Sequence, residues 1–148
     1  MTNFQKIRAA IEAPILTAFN SQVPPIPVYF DNVNSVPPDP PNEYIRVNLV
    51  FGIMQTESIT SLLSHPRGSL IIRCFTTKGG GPARCQELVE IAAEVILALG
   101  QTKRQASSVF IRTTSIMGPS FYESQSADLP HFMGKISTGW HAILPCST

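Results

Sequence analysis

A chain of 148 residues has room for one domain, which on folding should hide about 70% of the surface its unfolded form exposes, so no disulfide or metal staple is required. Lysine and arginine total 11 against 10 aspartates and glutamates, a formal net charge of +1, with no block of like charge along the chain. That balance argues against a specific nucleic acid or an acidic membrane as partner. Only 14% of residues are charged and 43% are apolar, which leaves a surface suited to packing against other protein.

The N-terminal segment carries Thr2 and Gln5 at capping-box spacing, then Phe4, Ile7, Ile11, Ile15 and Ala18 at intervals of three and four. This predicts an amphipathic helix, with a kink or an early end at Pro14, because an internal proline removes a backbone hydrogen bond. The segment lacks the apolar run of a signal peptide, and no stretch approaches the roughly 18 apolar residues of a membrane span, so a cytoplasmic protein is expected. A proline-rich passage follows, with a short edge strand expected at 28–30. From Tyr44 the period becomes two: Ile45, Val47, Leu49 and Phe51 share one face, and Tyr44, Arg46, Asn48 and Val50 the other. Residues 52–67 are ambiguous between continued strand and projecting loop, with a turn expected at His65-Pro66-Arg67-Gly68. After it Leu70, Ile72 and Cys74 alternate with Ile71, Arg73 and Phe75, mostly apolar on both faces, as in a central strand. The surest helix follows the glycines, with Leu88, Ala92, Val95, Ile96 and Leu99 as its buried stripe, Arg84, Glu87, Glu90 and Glu94 opposite, and Gly100 as its end. Two more strands are predicted at 109–117 and 132–144, separated by a polar stretch. In the last strand, Ile136, Thr138, Trp140 and Ala142 fall on one face, and Trp140 reads as core. The expected fold is α+β: a mostly antiparallel sheet packed against two helices, one domain over residues 1–148.

The string TTKGGGPARCQE invites comparison with phosphate-binding loops. A P-loop needs its lysine after the glycines and a Ser or Thr next, whereas Lys78 precedes Gly79, Gly80 and Gly81, and Pro82-Ala83-Arg84 follows. The structural reading is simpler: glycine permits the abrupt strand-to-helix reversal, and Pro82 presets the first helical position. Cys74, Cys85 and Cys146 lack C-x-x-C or Cys/His ligand spacing and read as reduced, buried hydrophobes. His65, His131 and His141 have no neighbours at ligand spacing, no G-x-S-x-G elbow occurs, and no carboxylate pair stands out for acid-base work. Arg46 and Arg73, on neighbouring strands, fall on the sheet's second face, where solvated arginine is the simpler reading.

Ile26-Pro27-Val28, Asn32, Pro37-Pro38 and Tyr44-Ile45-Arg46-Val47, in that order after an amphipathic helix, resemble the signature of phage tail terminator proteins of the small tail-completion family. Gly68 opening a strand, and Gly79 to Gly81 leading into a long helix, extend the resemblance over nearly the whole chain. The family's tryptophan before the asparagine is replaced here by Tyr29-Phe30, and residues 118–131 match nothing in the pattern.

The resemblance implies a virion protein, assembled in the host cytoplasm, that forms a homohexameric ring at the head-proximal end of the tail. Its partners would be its own copies, the tail tube protein and a neck or connector protein. Such a ring covers the polymerising face of the tube and works mechanically, with no catalytic residue, cofactor or metal. The segments 52–67 and 118–131 are the expected projecting parts, with Met54, Ser58, Leu62, His65, Arg67, Phe121, Tyr122, Asp128 and His131 as candidate contacts to a neighbouring subunit or the tube. Two rival readings are a neck or head-completion protein, and a cytoplasmic small-ligand-binding enzyme that uses the loop from Lys78 to Gly81.

Overall fold

The apolar periodicities resolve into seven elements: α1 (Asn3–Asn20), β1 (Val28–Tyr29), β2 (Tyr44–Thr56), β3 (Ser64–Thr77), α2 (Ala83–Gln101), β4 (Phe110–Glu123) and β5 (His131–Ile143). The computed structural model describes residues 3–31, 43–56, 64–77, 81–101, 109–123 and 131–143. Its strands form one sheet in the order β1-β2-β3-β5-β4. β1 lies at an edge, as expected, and runs parallel to β2, whereas the other pairings are antiparallel. The fold is therefore α+β, with β3 in the central position that its two apolar faces predict.

One face of the sheet carries the core. Ile45, Val47 and Leu49 of β2, Leu70, Ile72 and Cys74 of β3, and Ile136, Trp140 and Ala142 of β5 join a single buried cluster with Ile7, Ile11, Ile15 and Phe19 of α1. From α2 the predicted stripe of Leu88, Ala92, Val95, Ile96 and Leu99 enters the same cluster. Each fully buried aliphatic side chain contributes about 1.5–3 kcal/mol, which explains why α1 runs unbroken through Pro14 to Asn20. Buried residues on both sides of the proline offset the roughly 3 kcal/mol that an internal proline costs. Phe4 departs from the expected stripe: it is 50% exposed and rests edge-on against Phe51, with ring centroids 5.3 Å apart.

Several boundaries differ from the sequence reading. Gly100 does not end α2, which continues to Gln101. A Cβ at Gly100 would collide with the Thr113 hydroxyl, so this glycine serves the close approach of helix and strand. β4 also satisfies the helix's last carbonyls: Thr113 Oγ1 donates to the Ile96 carbonyl at 3.3 Å and Arg112 to that of Gly100 at 3.1 Å. The turn expected at residues 65–68 is strand, with Arg67 opposite His141 and Gly68 opposite Trp140. The ambiguous segment thus continues both strands, out to the pair Thr56 and Ser64, with a register shift between Phe51 and Ile53. β4 likewise does not stop at Met117 but runs to Glu123, through register shifts between Thr113 and Ile116 and between Met117 and Ser120. The second shift spans the cis Gly118-Pro119 bond, where Gly118 takes a φ of 99° open to glycine. Pro82 stands one position earlier than expected, as the cap whose carbonyl accepts the Gln86 N–H at 2.9 Å.

Gly68 is the tightest of the sheet glycines, because a Cβ there would meet the Val50 carbonyl and the Trp140 ring. Gly68→Ala is expected to lower stability by about 1–3 kcal/mol, as overpacking does, read as a lower urea midpoint with unchanged slope. An unchanged midpoint would refute this packing.

Candidate functional site

Both helices pack on one side of the sheet, and none of the described elements covers the other. Register decides what that open face presents. Arg46 stands directly opposite Arg73, and Arg73 directly opposite Lys135, so three cations form a row across β2, β3 and β5. None of these three strands contains an aspartate or glutamate. Like charges directly opposite each other are destabilising, so the row is held by the burial on the reverse of the same strands. Met117 and Tyr122 stand opposite Ser137 and Met133, the open-face residues on either side of Lys135, and are 60% and 50% exposed; Val50 and Phe110, 47% and 37% exposed, lie farther along the same face.

The two edges of the sheet are blunted. At one, β1 is only two residues long, and beyond it Asp31 takes over the pairing of β2. Its carboxylate accepts the Leu49 N–H at 2.9 Å and the Asn48 side-chain amide at 2.7 Å, and Arg8 donates to it at 3.1 Å. Arg8 also binds Glu12 at 2.8 Å, and Asn48 in turn accepts from Arg73 at 2.7 Å, so this edge network reaches the cationic row. Burial works to raise the Asp31 carboxyl, but the hydrogen bonds from Leu49, Asn48 and Arg8, with the charge of Arg8, hold it below its ordinary value. Burial wins at Glu12, whose carboxyl is raised despite Arg8. At the other edge, two register shifts and Pro119 interrupt β4. Irregular edges of this kind discourage pairing with a further strand.

The structure separates the predicted contact residues into two groups. β2 and β3 meet at Thr56 and Ser64 at one end of the sheet, while β4 and β5 meet at Glu123 and Phe132 at the other. Arg67 and the backbone of Met54 and His65 belong to the first end, and Phe121, Tyr122 and His131 to the second. Met54↔Pro66, Gln55↔His65 and Thr56↔Ser64 continue the β2–β3 ladder past its last shared pair with β5, Arg67↔His141. Ser58, Leu62, Asp128, Lys78, Gly79 and Gly80 lie outside the described residues, as do the side chains of Met54 and His65. Phe121 turns to the helix side and stacks on Phe132 at 6.0 Å, whereas its neighbour Tyr122 is half exposed on the open side. His131 sits edge-on to Tyr44 at 5.2 Å, and Tyr44 stacks on Phe75 at 4.4 Å. Gly81 has a φ of 82°, consistent with a turn that only glycine accommodates easily.

A second surface feature is an open cleft of about 370 Å³ between α1 and β2, lined by Phe4, Gln5, Arg8 and Phe51. Among the described residues, no three His, Cys, Asp or Glu side chains gather as a metal site, and no helix is long and apolar enough to cross a membrane. Cys74 and Cys85 are buried free thiols, both with pKa values raised by burial.

No family model and no curated protein matches the chain. Solved structures do, with 28 matching chains. One of them superposes with a TM-score of 0.74 over 99% of this chain and 100% of its own, at 19% identity, and its name states no function. Similarity at that identity establishes the fold alone.

Sequence reasoning missed Asp31 and Arg8, although an aspartate directly after a short strand is a usable signal for an edge cap. It also missed Lys135 as the third member of the row, because only the pairing of β3 with β5 aligns it. A carboxyl held below its ordinary 3.8 adds stability that is present above that pH and lost as pH falls through the folded value. Asp31→Asn is therefore expected to cost about 1 kcal/mol near neutrality, a value kept small by solvent screening. Its deficit against wild type should shrink as the solution is acidified below 3.8. Denaturant titrations over pH check this, and a deficit independent of pH would contradict it.

Proposed function

We propose that copies of this chain close into a homohexameric ring in the virion, which caps the head-proximal end of a phage tail tube and presents a surface to the neck. The observation that carries the reading is the open sheet face, where cations and exposed apolar side chains lie together without a covering layer. Faces of that kind on a small domain suit protein contacts. The blunted edges favour contact through faces over contact through added strands. The two strand-pair ends at opposite poles of the sheet give each subunit distinct ends, as a ring with a tube side and a neck side requires.

The resemblance to tail terminators supports the same reading and has a physical basis. Its two halves lie side by side: Val28 pairs with Ile45, and the Ile45 N–H donates to the Pro27 carbonyl at 2.9 Å. Ile26, only 6% exposed, anchors the first half in the core. The signature therefore describes how the β1–β2 edge is built. Termination follows from geometry, because a bound ring occupies the only face on which another tube ring could add.

Mass in solution, alone and mixed with tube protein, tests the reading. The expected result is a closed oligomer in at least one of the two samples, and tails of uncontrolled length in virus lacking the gene. A monomer in both samples, or tails of normal length joined to heads without the gene, would overturn it. Copurification with the neck complex but not with the tube would assign the chain to the neck instead.

A further inference from the structure

We infer that the row of Arg46, Arg73 and Lys135 receives the acidic outer face of α2 from a second copy of this chain; this rests on the ring reading and names the contact that builds the ring. The near-neutral net charge conceals a segregation. The strands β2, β3 and β5 carry arginine and lysine without a single carboxylate, while α2 carries Glu87, Glu90 and Glu94 against one cation, Arg84. Arg84 is occupied within its own subunit, at 2.9 Å from both Glu43 and Glu87. The buried stripe of α2 faces the sheet, so its glutamates point away from it, and Glu87, Glu90 and Glu94 are all exposed.

The two patches match in size. Two strand spacings separate Arg46 from Lys135, about 10 Å, and seven helical residues separate Glu87 from Glu94, again about 10 Å. A helix laid across the strands over the row would bring carboxylates to cations along its length. With the helix running from β2 towards β5, Leu97, one turn beyond Glu94 and 54% exposed, would reach past Lys135 towards Met117 on β4, which is 60% exposed. Within the subunit Arg73 is held by Asn48 and Glu87 by Arg84, and the contact would add opposite charge to both patches. The patches lie on opposite layers of the molecule, so the contact is head-to-tail. Such a contact repeats around a ring when the rotation closes.

Charge reversal in complementary chains tests the pairing by sedimentation. Lys135→Glu alone, and Glu90→Lys with Glu94→Lys alone, should each weaken self-association about tenfold or more, as opposed like charges do. For the mixture the row is reversed further, as Arg73→Glu with Lys135→Glu, which leaves it net negative; mixed with Glu90→Lys/Glu94→Lys it should restore the wild-type mass, because each interface then joins opposite charges in alternating copies. Variants that associate like wild type would overturn this interface and leave the ring reading standing; so would a mixture that fails to recover. Wild-type association should also weaken between about 0.05 and about 0.5 M salt, as the screening length falls, and no change there would count against the pairing without any substitution. If the wild-type chain stays monomeric alone and with tube protein, the ring reading itself fails, and this contact with it. Retained assembly by Lys135→Glu together with lost binding of a duplex DNA fragment would assign the row to nucleic acid.

Discussion

The structure depends on one constraint: both helices must cover the same face of the sheet. Only one layer of apolar side chains then needs burying, and β2, β3 and β5 supply it through every second residue. The same periodicity sends the intervening residues to the opposite face, and those include the partly exposed Arg46, Arg73 and Lys135. Burial on one side therefore holds in place, on the other, a row of charges that would not gather without it. This is how a fold with an ordinary core comes to carry an unusual surface.

Close approaches make the two-layer packing possible. Gly134 meets Val89 and Cys85 of α2, and Gly100 of α2 meets Thr113 of β4, in each case at separations a Cβ would violate. The sheet is pressed onto α2 at both ends of the helix by these contacts. α1 lies against α2 and is tied to the opposite edge by Arg8, which reaches Asp31. Phe4, Phe51 and Trp140 continue that tie as a chain of edge-on rings from the first turn of α1 into the core.

Edge chemistry directs how the surface can be used. A regular outer strand would pair with any neighbouring chain, but here a side-chain carboxylate closes one edge and irregular backbone interrupts the other. A partner is thereby left the faces and the two poles. In the proposed ring, that restriction would keep strand addition from competing with the intended geometry.

By itself, the sequence determined the fold class, the two helical stripes and the central place of β3, because burial writes its period directly into the order of apolar residues. It also placed the β1 edge strand and the inward face of β5, with Trp140 in the core. It misjudged the ends of elements, since Gly100 and the glycine-proline pair at 118 and 119 look like stops in one dimension. In three dimensions one is a point of close packing and the other a bulge inside a strand that its neighbour keeps in register. The Asp31 network and the cationic row were decided only by tertiary structure. The sequence already put Arg46 and Arg73 on one face of neighbouring strands, but only strand pairing could bring them level with each other and with Lys135.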